Sequence, residues 1–405
     1  MWQQIRDNQI RSVILVAGML TLLLLIGYFL GLAFLDNGVG GLVIALVVWV
    51  IMNLVAYFQG DSILLAVSKA RKIERDDHPR LYNIVEEMKI ASGLEKVPDI
   101  YIIDDPALNA FATGRDPKKA SVAITSGLLQ KLNRDELQGV IGHEIAHIKN
   151  RDVLLMTLCS VLLGTIVILA YYATYMLFFS SMTGGRRSSS SGGGGGGQAI
   201  ILLIGIVLMI LAPILAQLIY FAISRKREYL ADASSAQYTR YPEGLASALE
   251  KLGASTVQLQ SANKATAPMY ITNPFRQKGR AAADLSSTHP PLSERVRILR
   301  SMAGGASFAD YDAAYSGIHK GGRGVIAPSA VAAAGVVGLR AAGPEAAPVE
   351  AEPSKLERTR EVSDLMWRKS DYKTITCDCG TKLRVPPNLK RAKVKCPHCG
   401  RNNPI

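Results

Sequence analysis

The sequence predicts a mainly α-helical membrane protein with a mixed α+β domain and a small C-terminal module. Three observations carry that expectation. Long apolar runs occupy residues 13–35, 39–58, 153–179 and 199–223. Between the second and third runs lie short strand-like segments and a helix-patterned stretch containing His143-Glu144-Ile145-Ala146-His147. Four of the five cysteines cluster as two pairs, Cys377/Cys379 and Cys396/Cys399.

The 405 residues suffice for a catalytic domain with added parts, and the 49% apolar content is concentrated in the long runs, as in an integral membrane protein. The net charge of +13 fits Lys and Arg flanking membrane spans on the cytoplasmic side better than it fits a nucleic-acid surface. Cys159 sits alone in an apolar run, and no disulfide framework emerges, which points to a reducing compartment.

Residues 13–35 are uncharged, too long for a signal-peptide core and without a small-residue cleavage site, so they read as a first transmembrane helix. Asp36-Asn37-Gly38 makes a tight turn into the second span, 39–58, and the two form a membrane hairpin. Lys69, Arg71, Lys72 and Arg75 follow it, while the turn has no Lys or Arg, which puts both ends of the hairpin in the cytoplasm. Residues 79–93 are amphipathic, with Leu81, Ile84, Val85 and Met88 on one face. Residues 98–103, 109–114 and 121–125 read as short strands, the last two joined by the polar turn 115–119.

Residues 153–179 and 199–223 span the membrane or form a shallower hairpin, and their length favours spanning. The Ser/Gly tract 188–197 between them is a flexible loop by composition. A long helix leaves the membrane at 224–252, broken near Pro242, and 265–283 is irregular. Another helix begins at Pro290-Pro291-Leu292, with Leu292, Val296 and Leu299 as its apolar face. The resulting domains are a hairpin (1–60), a central domain (61–302), a disordered linker rich in Ala, Gly and Pro (303–370) and a separate tail (371–405).

The chemistry centres on His143-Glu144-Ile145-Ala146-His147. Residues four apart share a helix face, so His143 and His147 can aim two imidazoles at one metal, with Glu144 beside them to take a proton from a metal-bound water. Asn133 supplies an N-cap, Asp135 and Glu136 early acids, and Leu137, Val140, Ile141, Ile145 and Ile148 the helical period. A catalytic zinc needs a third protein ligand. The best candidate is Glu228 in Arg225-Lys226-Arg227-Glu228-Tyr229-Leu230-Ala231-Asp232, with Asp232 one turn on, placed to hold the outer nitrogen of a zinc-bound imidazole.

These stretches, with Asn109-Ala110-Phe111-Ala112-Thr113-Gly114, Asn150-Arg151-Asp152 and Thr288-His289-Pro290-Pro291, resemble the HtpX-type membrane metalloproteases, relatives of the prenyl-protein CAAX proteases. The resemblance runs from the first span to about Arg300. It implies a gluzincin-like α+β fold, a membrane-embedded cytoplasmic active site in the cell membrane, and cleavage of membrane or misfolded proteins, a quality-control role. It places zinc ligands on His143, His147 and Glu228 and the catalytic glutamate on Glu144. Zinc lowers the pKa of its water from about 15.7 toward 7; Glu144 accepts that proton and passes it to the leaving amine. His289 is either an extra oxyanion donor or a helix-capping histidine. Residues 109–113, with Asn109, Ala110, Phe111 and Ala112, are either an edge strand that binds unfolded substrate by strand addition or an ordinary strand.

The cysteine pairs fit a zinc ribbon. Cys377, Cys379, Cys396 and Cys399 would supply four thiolates to a structural Zn2+, with Gly380 and Gly400 permitting the turns. Lys382, Arg384, Lys390, Arg391, Lys393 and Lys395 form a basic strip. Two rival functions are a membrane-tethered scaffold that binds partners through the ribbon, which intact Glu144 argues against, and a prenyl-protein processing protease.

Overall fold

The computed structural model describes residues 2–154, 166–172, 175, 207, 210–211, 214, 225–260, 269–272, 289–302, 304–319, 324–333, 335–340, 352–370, 372–386, 389 and 393–405. Cys159, the Ser/Gly tract and most of the third and fourth apolar runs lie outside these residues, as does most of 265–283.

Helices α1 (Trp2–Leu35) and α2 (Gly38–Val67) open the chain. Asp36 takes φ 50°, and the Asn37 side chain accepts the Gly40 N–H as the α2 N-cap. Gly27 meets Ala45 and Gly31 meets Gly41, a register that makes the helices antiparallel. The approach is backbone to backbone: a Cβ on Gly41 would lie 2.1 Å from the Gly27 carbonyl oxygen and 2.5 Å from Gly31 Cα. Val39, Val43, Ile44, Val47 and Ile51 stay exposed on the opposite side, as a lipid-facing surface requires. Among the described residues α2 alone is long and apolar enough to cross a membrane, and α1 carries a shorter apolar stretch, Val16–Leu32. The α2 helix runs through Val67 and carries a buried Gly60 within it, so the expected domain boundary at residue 60 falls inside a helix.

The next elements are β1 (Arg71–Ile73), α3 (Pro79–Ser92), β2 (Asp99–Ile103), β3 (Ala110–Gly114), β4 (Ala120–Thr125), α4 (Ser126–Lys131) and α5 (Arg134–Lys149). The sheet order is β1-β2-β4-β3, with β2 and β4 parallel and the other pairs antiparallel. Its period-two alternation sorts side chains into two layers. Ile100, Ile102, Val122 and Ile124 join Leu81, Ile84, Val140 and Ile141 of α3 and α5 in the main core. Ile103, Phe111 and Ala123 face the other way, onto Leu64 and Leu65 at the end of α2. The sheet is thus clamped between α3 and α5 on one face and the hairpin on the other. Residues 115–119 form a turn with a 3-10 segment at Pro117–Lys119. Strand β1 has no readable period, with two outward cations and a single buried Ile73.

The chain continues with helix α6 (225–239), α7 (Pro242–Ala254), α8 (Leu292–Arg300), α9 (Phe308–Ile318), α10 (Pro328–Ala333) and α11 (Lys355–Lys369). Arg240, at φ 53°, and Pro242 make the break between α6 and α7. The last three helices correct the expectation of a disordered 303–370. Phe308, Tyr311, Ile326, Ala330, Val362 and Leu365 are buried in the main core. Capping boxes start α9 at Ser307/Asp310 and α11 at Ser354/Glu357. The tail forms two hairpins, β5 (Lys373–Thr376) with β6 (Lys382–Val385) and β7 (Lys393–Lys395) with β8 (Asn402–Pro404). It is tied to α11, since Arg384 pairs with Asp364 and lies over the Trp367 ring.

Candidate active site

Helix α5 is launched by a full capping box: the Asn133 side chain accepts the Glu136 N–H at 2.9 Å, and Glu136 returns the bond to the Asn133 N–H. Its apolar stripe, buried against α3, β3 and α7, fixes the rotation of the helix and turns His143 and His147 inward. Helix α6 crosses close behind, with Ser235 Oγ donating to the Gly139 carbonyl at 2.6 Å. That contact delivers Glu228 and Asp232 to the imidazoles.

The geometry suits one metal ion. His143 Nε2 and His147 Nε2 are 3.2 Å apart, and each lies 3.5 Å from a Glu228 carboxylate oxygen. Ligands at about 2.0–2.1 Å from a tetrahedral zinc stand about 3.3–3.4 Å from one another. Two ring nitrogens that close, facing a buried carboxylate, call for a cation between them. The outer nitrogens are held too: His143 Nδ1 meets Asp232 Oδ1 at 3.0 Å and His147 Nδ1 meets Asp152 Oδ2 at 3.4 Å. Each carboxylate holds the proton on Nδ1 and leaves the Nε2 lone pair for a metal. The donor set of two imidazoles and one carboxylate matches a catalytic zinc site.

Arg295, from α8, closes the back of this site and is fully buried. Its Nε and Nη2 donate to the two Asp232 oxygens at 2.8 and 2.7 Å, its Nη1 lies 3.2 Å from Glu228 Oε2, and Nη1 also donates to the Ile271 carbonyl at 3.3 Å. Sequence reasoning missed Arg295. The signal was available: it is three residues from Leu292 and four from Leu299, inside the apolar stripe of its helix, where a charge needs a buried partner. Asp152 belongs to the Asn150-Arg151-Asp152 stretch, and no local pattern marks it as the partner of His147.

Charge is balanced tightly here. Burial works against ionisation of Glu228, but His289, the two imidazoles and Arg295 outweigh it and hold its pKa well below the usual carboxylate range. Burial would lower the pKa of His147, but Asp152 and Glu228 raise it to about 10, and Asp232 and Glu228 likewise raise that of His143. Glu144 is buried, and loss of hydration pushes its pKa up, toward a group able to accept and release a proton. His289 is buried with Nε2 3.8 Å from Glu228 Oε2, and burial lowers its pKa to about 4 against the pull of Glu228.

β3 lies at the sheet edge, but its first residues are not open. Asn109, Ala110, Phe111 and Ala112 are all buried. The Ala110 carbonyl accepts the Ile271 N–H at 2.9 Å, the Asn109 Nδ2 donates to the Thr272 carbonyl at 3.0 Å, and Tyr270 packs edge-on against Phe111. Of the two readings of residues 109–113, pairing with residues 270–272 places the start of the strand inside the sheet.

In the tail, the sulfurs of Cys377 and Cys399 are 3.5 Å apart and those of Cys379 and Cys396 are 3.7 Å apart, with all four within 4.8 Å of one another. Each pair sits on a tight turn closed by a glycine at positive φ, Gly380 at 82° and Gly400 at 74°. The four could hold a metal ion.

Comparison with known proteins agrees with the main site. The model of peptidase family M48 matches residues 75–303. A protease HtpX homolog of Dictyoglomus turgidum is 43% identical over 308 residues, covering 74% of this chain and 94% of that protein. One from Streptococcus pyogenes serotype M28 is 43% identical over 302 residues, covering 75% of this chain and all 100% of its own. A crystal structure of S. mikatae Ste24p aligns with a TM-score of 0.39 at 21% identity, covering 74% of this chain and 67% of that one, too slight a likeness to bear on the fold. The family match runs across His143, His147, Glu228 and Arg295, and the chain belongs to peptidase family M48: it is a membrane zinc metalloprotease.

Proposed function

We propose that His143, His147 and Glu228 hold the catalytic zinc, that Glu144 is the general base, and that the enzyme cleaves membrane or misfolded proteins from the cytoplasmic side of the cell membrane. The observation that carries this reading is the convergence of two Nε2 atoms and one carboxylate at tetrahedral spacing beside a buried Glu144. A bound zinc would acidify a water and polarise the scissile carbonyl. Glu144 takes the proton from that water and delivers it to the departing amine. Asp232 and Asp152 keep both imidazoles in the ligating tautomer. His289 donates its N–H toward the oxygen that gains charge.

Substrate adds as a strand at the outward groups of Gly114, beyond the stretch of β3 that is bridged to Tyr270. Backbone pairing of this kind needs an unfolded segment and little sequence, which suits quality control. The Lys and Arg residues beyond α2 support a multi-pass topology with active site and C-terminus in the cytoplasm. The four tail cysteines take a second, structural zinc. Glu144→Gln in detergent-solubilised full chain tests the mechanism: zinc content stays at the wild-type level while cleavage of an unfolded membrane protein is lost. Undiminished cleavage would refute it.

A further inference from the structure

The family match ends at residue 303, yet the next helix reaches into the catalytic centre. Tyr229 directly follows Glu228 on α6, and Glu294 directly precedes Arg295 on α8. The Tyr229 hydroxyl donates to Glu294 Oε1. The same oxygen meets Nε2 of His319, the residue that ends α9, at 3.0 Å. Tyr315 of α9 packs edge-on against the Tyr229 ring with centroids 5.1 Å apart, and its ring lies 4.2 Å from that of His319. One carboxylate oxygen thus receives two donors from two other helices, and an aromatic ring wedges the three together. One turn earlier on α9, Tyr311 is fully buried, its hydroxyl without a hydrogen-bond partner among the described residues, within electrostatic reach of Asp232 and Arg295. On its far side this segment is anchored as well, since α10 packs against both α9 and α1 of the membrane hairpin.

We infer that His319 is a positioning residue for the metal centre: through Glu294 and Tyr229 it locks α6 to α8 and so fixes where Glu228 and Arg295 stand. The physical reason is tolerance. Metal ligands work within about 0.2 Å of their ideal distances, while Glu228 stands seven residues along α6 from Ser235, whose bond to the Gly139 carbonyl ties that helix to α5. A small rotation of α6 about its axis moves the carboxylate by more than that margin. Arg295 cannot restrain the rotation by itself, because its guanidinium is shared among Asp232, Glu228 and Ile271. The residue that completes the brace comes from a segment outside the family domain, so this catalytic unit extends to at least His319.

The inference rests on the metal site proposed above, and its test separates the two. The full chain in detergent is loaded with zinc, and release to a chromogenic chelator is timed independently of proteolysis. Wild type that binds no zinc at the site would sink the site itself. Given wild-type binding, His319→Ala releases zinc about 10-fold faster and lowers kcat about 10-fold with KM little changed, within the range that removing an outer partner of a metal ligand produces. His319→Gln, which keeps an N–H donor at that position, restores most of both. Glu294→Gln combined with His319→Ala is no worse than Glu294→Gln alone. Unchanged zinc release and kcat in His319→Ala, even with a lower Tm, overturns the inference, as does equal impairment in the Ala and Gln variants.

Discussion

Arg295→Met offers the sharpest test of how the site is held together. The guanidinium makes two charged hydrogen bonds to Asp232 at 2.8 and 2.7 Å and stands 3.2 Å from Glu228, all with the arginine fully buried. Methionine fills much of the volume but leaves the Asp232 carboxylate buried with His143 as its remaining ionic partner among the described residues. Removing one partner of a buried pair costs about 3–5 kcal/mol, and for a domain of this size each kcal/mol moves Tm by about 2–4 °C. The expected fall in apparent Tm of the detergent-solubilised chain is therefore roughly 6–20 °C. The cost comes from the charge left behind, so Arg295→Met with Asp232→Asn recovers a large part of it. The double-mutant coupling is expected at about 2–3 kcal/mol, within the range found for residues in one network. Scanning fluorimetry on the wild type, both single variants and the double variant reads this directly. Additive effects, or a fall below about 1 kcal/mol for Arg295→Met, would refute the account of the back of the site.

Further outcomes follow from other parts of the structure. His78 is buried at the N-cap of α3, its Nδ1 accepts the Leu81 N–H at 3.2 Å, and burial first, then Arg80, lowers its pKa to about 4 from 6.5. The unfolded chain then binds a proton that the folded chain refuses, so stability is intact above pH 6.5 and falls as pH drops toward 4, by at most roughly 3 kcal/mol; His78→Asn, which keeps a cap, should flatten the Tm-against-pH curve in that window. Gly41→Val forces the two hairpin helices apart and should cost about 1–3 kcal/mol, read as a lower Tm of the detergent-solubilised chain. Leu365→Ala should cost about 2–5 kcal/mol, because that side chain seats α11 in the main core. Cys396→Ser should remove one zinc per chain by metal analysis while the zinc at the His143 site remains; loss of both would mean the tail supports the catalytic site.

Local chemistry was legible in the sequence where several cues coincided. The Asn133 cap, the stripe from Leu137 to Ile148 and the imidazole spacing all pointed to one helix, and Glu228 with Asp232 repeated the logic on another. The strands at Ile100–Ile103 and Ser121–Thr125 were short but bounded by turn residues. The helices between Phe308 and Lys369 were hidden because composition spoke against them. Ala, Gly and Pro predominate around them, and their stability comes from tertiary burial of a few side chains such as Tyr311, Val362 and Leu365. The capping boxes at Ser307 and Ser354 were the local signs that outweighed composition. Pairing of residues 270–272 with β3 left no pattern at all, because a three-residue contact across a long separation has no period.

The length of α2 has a consequence for which bonds the enzyme can reach. Its 30 residues make one uninterrupted rod of about 45 Å at 1.5 Å per residue, whereas a bilayer's hydrocarbon layer is about 30 Å thick. The surplus of about 15 Å stands clear of the lipid and ends under Phe111, where Leu64 and Leu65 touch the sheet. The hairpin therefore acts as a stalk of fixed height. If substrate adds at the sheet edge as proposed, a chain still anchored in the bilayer has to emerge by about four or five extended residues before its backbone can pair there, so bonds nearer the lipid are shielded by distance alone.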